Sequence, residues 1–96
     1  LPGADLLVTK DVLQHLPNAV VLKLLGNFAT FPWVLLINDW SAGADVNKDI
    51  PMGGYRKLDF SKPPFNLSVS LAFDFGTAWQ KRAYLWRPVK AALGPL

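Results

Sequence analysis

The run Trp33–Ile37 constrains this chain most: five consecutive apolar residues, without polar alternation, just after a helical stretch that Pro32 brings to a stop. A strand of that composition has no solvent side and is expected to be covered on both faces, as in the parallel sheets of α/β proteins. A second short run, Asp5–Val8, follows a Pro-Gly opening and reads as another buried strand. Thr9, Lys10 and Asp11 follow it, and the spacing then becomes helical. Val12, Leu13 and Leu16 share one side; beyond Pro17, a first-turn residue, Val21, Leu24, Leu25 and Phe28 recur at intervals of three and four. Gly26 and Asn27 weaken the helix near its end, so the chain should leave it between Phe28 and Pro32. Strand, helix and strand at these lengths predict a parallel, right-handed βαβ unit with the helix on one face of the sheet.

Residues 38–67 carry Gly, Pro, Asp, Asn and Lys with isolated aromatics, the composition of a long loop, and loops of that length inside a domain are functional or mobile. Alternation then returns, with Val69, Leu71, Phe73 and Phe75 on one face and Ser68, Ser70, Ala72 and Asp74 on the other, a half-buried strand. A turn at Gly76–Gln80 and a partner strand at Arg82–Trp86, closed by Pro88, complete an antiparallel hairpin at the sheet edge. The expected fold class is α/β, one domain over residues 1–96.

Composition narrows the functions available. At 96 residues the chain buries only roughly 60 to 70% of the surface its unfolded form exposes, so stability is marginal. A content of 51% hydrophobic residues, with four Trp and six Phe, still supports a packed core. Ten basic against seven acidic residues give a net charge of +3, spread along the chain as a solvated mixed surface and not clustered as a nucleic-acid interface. With no Cys there is no disulfide or thiolate chemistry, and one His rules out a multi-histidine metal site. Ala19–Ile37 is apolar enough to suggest a membrane span, but Lys23, Gly26, Asn27 and Pro32 interrupt it; a helix and a buried strand fit better. No basic-then-apolar leader or initiator Met opens the sequence, which reads as part of something longer, or processed, and a cytoplasmic location is expected.

Three segments carry a resemblance: DLLVTKDVLQHLPN, WVLLINDW and NKDIPMGGYRKLDFSKPPF. With the element order they resemble the C-terminal half of class I S-adenosylmethionine-dependent methyltransferases, whose Rossmann-like sheet runs 3-2-1-4-5-7-6. The resemblance implies that the four strands here take the order 4-5-7-6, and that the whole enzyme methylates a small molecule. It also marks what this sequence lacks: the Gly-rich loop after the family's first strand and the acidic residue ending its second. Gly53-Gly54 opens no helix after a strand and does not replace that loop. The chain alone is therefore expected to bind S-adenosylmethionine poorly or not at all and to be inactive. Its partner is expected to be the missing N-terminal half, or a second copy paired through the exposed edge of the first strand. The alternative is a stand-alone α/β binding or assembly module without catalysis.

Open α/β sheets bind ligands at the carboxyl ends of their parallel strands, which singles out Thr9, Lys10 and Asp11, then Asn38, Asp39 and Trp40. Asp11 or Asp39 can orient a substrate hydroxyl or amine, or act as a base; the plainer role for Asp11 is a helix N-cap. His15 can accept a proton or a substrate hydrogen bond, though lone helical histidines more often lie on the surface. Trp40 and Tyr55 can wall a pocket or simply pack. Lys62-Pro63-Pro64-Phe65 reads as a rigid turn, since Lys cannot accept a bond from an amine. Lys81, Arg82, Arg87 and Lys90 read as edge charges that block sheet-to-sheet association.

Overall fold

The computed structural model describes residues 5–76 and 80–88, which form a small α/β fold of four strands and one α-helix. Strand β1 (Leu6–Lys10) is followed by a 3-10 turn at Leu13–His15 and by helix α1 (Asn18–Phe28). Strands β2 (Trp33–Asp39), β3 (Val69–Gly76) and β4 (Gln80–Trp86) complete one mixed sheet in the order β1-β2-β4-β3. β1 and β2 are parallel, and β4 runs antiparallel to both of its neighbours. The Pro-Gly opening, the turn residues 77–79 and Lys90 lie outside the described residues.

Several boundaries differ from the sequence reading, among them the end of β2, which runs on past Ile37 to Asp39. Thr9 and Lys10 belong to β1, because their backbone continues the parallel ladder opposite Leu36 and Ile37. The stretch after Asp11 makes a single 3-10 turn instead of a helix, with Pro17 as the N-cap of α1. Pro17 supplies no side-chain cap, and the carboxylate of Asp49 accepts the Asn18 backbone N–H at 2.9 Å in its place. α1 ends at Phe28, within the expected interval.

Register divides the side chains between two faces. Leu7, Thr9, Val34, Leu36, Asn38, Tyr84 and Trp86 share one of them, on which Val34 and Leu36 pack with Val21 and Leu25 of α1. The segment 40–68 crosses the same face without helix or strand, yet it contributes Leu58, Phe60 and Phe65 to that core. The expected loop is thus part of the core, and backbone bonds from Arg56 to the Gln14 carbonyl and from Leu58 to the Asp39 carbonyl tie it down.

The opposite face carries Leu6, Val8, Trp33, Leu35, Ile37, Ala83 and Leu85, and none of these belongs to the core cluster. The expectation of a strand covered on both faces is corrected: among the described residues, one face of β2 is covered. β3 departs further from the expected half-buried strand. Leu71 pairs with Tyr84 and Phe73 with Ala83, so Ala72 is an extra residue, a β-bulge. The bulge keeps Val69 and Leu71 on the covered side and turns Phe73 and Phe75 to the bare side, instead of leaving all four together. Phe73 and Phe75 are 61% and 44% exposed. Among the described residues, no helix is long and apolar enough to cross a membrane.

Candidate functional site

The carboxyl ends of β1 and β2 bring together Asp11, Asp39, Tyr55 and Lys81, with His15 beside them. Asp11 leaves β1 with a φ of 58°, its N–H bonded to the Ile37 carbonyl at 2.9 Å, which turns its side chain toward the start of β4. There the Lys81 ammonium pairs with Asp11 and also lies 3.2 Å from Asp39. Asp11 is not a helix N-cap: Val12 holds that position before the 3-10 turn, without a side-chain bond. Lys81 is therefore the counter-ion of two strand-end carboxylates, and Asp39 lies opposite it in the β2–β4 register.

Tyr55 reaches the cluster from a turn built on glycine. Gly53 has a φ of 81°, and Gly54 closes the turn by donating to the Pro51 carbonyl; a Cβ on Gly54 would lie 3.1 Å from that oxygen. His15 holds this turn from below. Its carbonyl accepts the Gly53 N–H at 3.0 Å, and its Nδ1 lies 2.9 Å from the Gly54 carbonyl. A carbonyl only accepts, so Nδ1 carries a proton, and in the neutral tautomer this leaves Nε2 as the acceptor. The imidazole also lies against the Tyr55 ring, tilted by 44° with the centroids 5.9 Å apart, and the Tyr55 hydroxyl donates to Asp39 at 2.6 Å.

These contacts set the charges. Burial acts to raise the Asp39 pKa, but the hydrogen bonds from Tyr55 and Lys81 outweigh it and hold the carboxyl below its ordinary value. Burial, then the bond to Asp39, pushes the Tyr55 hydroxyl up to about 12. Burial acts to lower the Lys81 pKa, and the bonds to Asp11 and Asp39 reverse this and raise it. The result is an ionised Asp39 beside a protonated Lys81 and a neutral Tyr55. A carboxylate held this way accepts hydrogen bonds well and abstracts protons poorly, chemistry suited to orienting a ligand more than to acting as a base.

The remaining sequence candidates lie elsewhere. Thr9 is half-buried on the covered face, and Lys10 is exposed on the other. Asn38 is 3% exposed, and both its amide atoms lack partners. Trp40 donates its indole N–H to Asp59 at 2.9 Å, carries the Arg82 guanidinium at 3.4 Å over its ring and packs against the core. Lys62–Phe65 forms a turn in which the Lys62 carbonyl accepts the Phe65 N–H at 3.1 Å. An open cleft of about 260 Å³, lined by Ser41, Ala44, Val46, Lys48, Tyr55 and Lys57 among others, adjoins the cluster through Tyr55.

Sequence reasoning missed the groups that support this site. Arg56, 2% exposed, points away from Tyr55 into the interior and donates to the Leu13 carbonyl and Asn18 Oδ1. Asn47 holds a φ of 61° and bridges the segment: its amide donates to the Asp59 and Pro63 carbonyls, and its oxygen accepts the Asp59 N–H. Burial acts to raise the Asp59 pKa, but the bonds from Ser61 and Trp40 outweigh it and keep it low. Gln14 accepts the Asp39 N–H at 2.8 Å and so fixes the end of β2. The one available signal was the close packing of Asn, Asp and Gly in residues 43–59, the residue types that bond to backbone in turns.

Comparison of the chain with protein-family models, with curated proteins and with solved structures gave no match.

Proposed function

We propose that this chain is the C-terminal half of a small-molecule S-adenosylmethionine-dependent methyltransferase and is inactive alone. The observation that carries the reading is the strand order. β1-β2-β4-β3, with β4 reversed, is the order 4-5-7-6 in which the resemblance sets the last four strands of that family's Rossmann-like sheet. The polar cluster adds support, because it sits at the carboxyl ends of the parallel strands, where open α/β sheets take their ligands.

This chain's residues do not fit the cofactor by themselves. β1 is followed by Asp11 and a 3-10 turn, and Gly53 and Gly54 are engaged by His15, so among the described residues no glycine-rich turn opens a helix after a strand. The contribution of this half is to the methyl acceptor: Asp39 and Asp11 orient its hydroxyl or amine, His15 receives its proton, and Tyr55 forms one wall. The partner is the N-terminal half, and the location is the cytoplasm.

Sequencing and expressing the reading frame upstream of the Leu1 codon tests this. The expected product adds a strand with a Gly-rich turn and binds S-adenosylmethionine at micromolar concentration. A start codon directly ahead of Leu1 overturns the reading in favour of a stand-alone α/β assembly module. The observation favouring that second reading is β1, whose outer edge has no partner strand among the described residues and is open to pairing with another copy.

A further inference from the structure

Among the described residues, the face of the sheet away from α1 is uncovered, a second candidate surface besides the β1 edge. Across β1, β2, β4 and β3 it presents Leu6, Val8, Trp33, Leu35, Ile37, Leu85, Phe73 and Phe75, with Ala83 at its centre. Leu6 and Val8 are 50% and 52% exposed, comparable with Phe73 and Phe75, and the others are partly exposed apart from the buried Ala83. Its charged groups stand at the ends: Lys10, Asp39 and Lys81 at one, and Arg87, 4.1 Å over the Trp33 ring, at the other. An apolar centre with a polar rim is the anatomy of a protein interface.

We infer that this face is the dimer interface between two copies of the chain, packed sheet on sheet. Its exposed side chains leave on the order of 500 Å² of apolar surface, the size of the largest patch on a typical monomer, which is often functional. Two such patches buried against each other total about 1,000 Å², the lower bound for a specific interface. The choice of a second copy follows from shape and charge. The face belongs to a sheet, has no charged side chain at its centre to select a charged partner, and brings no like charges together when it meets its own image across a two-fold axis. The bulge at Ala72 completes it, since without the register shift Phe73 and Phe75 would stand on the α1 side. This inference is independent of the methyltransferase reading.

Light scattering and sedimentation over a concentration series test it. The expected mass at about 0.1 mM, a concentration that populates complexes of micromolar affinity, is twice the 10.6 kDa of one chain. Val8→Lys with Phe73→Lys should raise the dissociation constant at least 100-fold, whereas Leu71→Lys, an equally exposed position on the α1 side, should leave it unchanged. A monomeric wild-type chain overturns the inference, and so does a dimer that the double variant leaves intact, since pairing through the β1 edge uses backbone groups and survives those substitutions. If the double variant does not fold, a mixed sample of labelled and unlabelled wild-type chain decides. Intermolecular nuclear Overhauser contacts between the Val8 or Leu35 methyls and the Phe73 ring are expected, and their absence counts against the interface.

Discussion

The two faces of this sheet are built from the same strands and nearly the same residue types, yet they have different fates. On one, Val34 and Leu36 are fully buried under α1 and the 40–68 segment; on the other, Leu35 and Ile37, their chain neighbours, remain partly exposed beside Leu6, Val8 and Phe73. The difference lies in what crosses each face. The helix and the long segment both lie on one side, and hydrogen bonds from Arg56 to the Leu13 carbonyl and Asn18 Oδ1, and from the Asn18 amide to the Asn47 carbonyl, bind the segment there. Apolar composition makes a strand able to be buried, and the connections decide which face is.

That contrast can be broken at its strongest point first. Leu36→Ala on the covered face should cost about 3 to 4 kcal/mol, a transfer term plus a cavity that rigid neighbours cannot fill. Denaturant unfolding reads this, and in a domain with about 5 to 15 kcal/mol in total it is a large share. Arg56→Met should cost about 3 kcal/mol by the same measurement, because the Leu13 carbonyl and Asn18 Oδ1 lose their donor inside the protein. A cost below 1 kcal/mol would mean that the Arg56 guanidinium does not help to hold the segment.

A smaller effect is expected at the strand ends and is read through pH. The Asp39 and Asp59 pKa values are lowered by folding, so their contribution is present above the ordinary carboxylate range, near pH 4, and is lost as pH falls through the folded values. Tyr55 has the opposite sign: raised to about 12, it stabilises fully below the ordinary phenol value near 10, and this is lost as pH rises from there to its folded value. Asp39→Asn should shift the Tyr55 phenolate absorbance transition back toward 10 and narrow the alkaline loss. The smallest effect belongs to the bare face, where Phe73→Ser, measured on dilute monomer, should change stability by no more than about 0.5 kcal/mol.

The sequence made the frame legible and the faces illegible. The strand-helix-strand unit showed because apolar runs and helical stripes are periodic and local. Asn38 and Thr9 were assigned to the ligand side because both strands were read too short; alternation carried on from Val34 and Leu36 puts Asn38 on the covered face. The bulge at Ala72 left no trace, since one extra residue preserves the alternating pattern while reversing the side chains beyond it. Asp11 and Asp39 were named from strand-end position and Tyr55 as a loop aromatic, and the structure brings the three together around Lys81. Lys81 read as an edge charge, because its pairing with Asp11 spans most of the chain and depends on β4 lying beside β2.

The most direct test of the central claim, that this chain is the acceptor-side half of a methyltransferase, is calorimetric titration with S-adenosylmethionine. Two samples are compared: the 96-residue chain and the product extended upstream of Leu1. The account expects no binding tighter than about millimolar, or roughly −4 kcal/mol, for the first and micromolar binding, roughly −8 kcal/mol, for the second. Micromolar binding by the 96-residue chain itself, or none by the extended product, would contradict it.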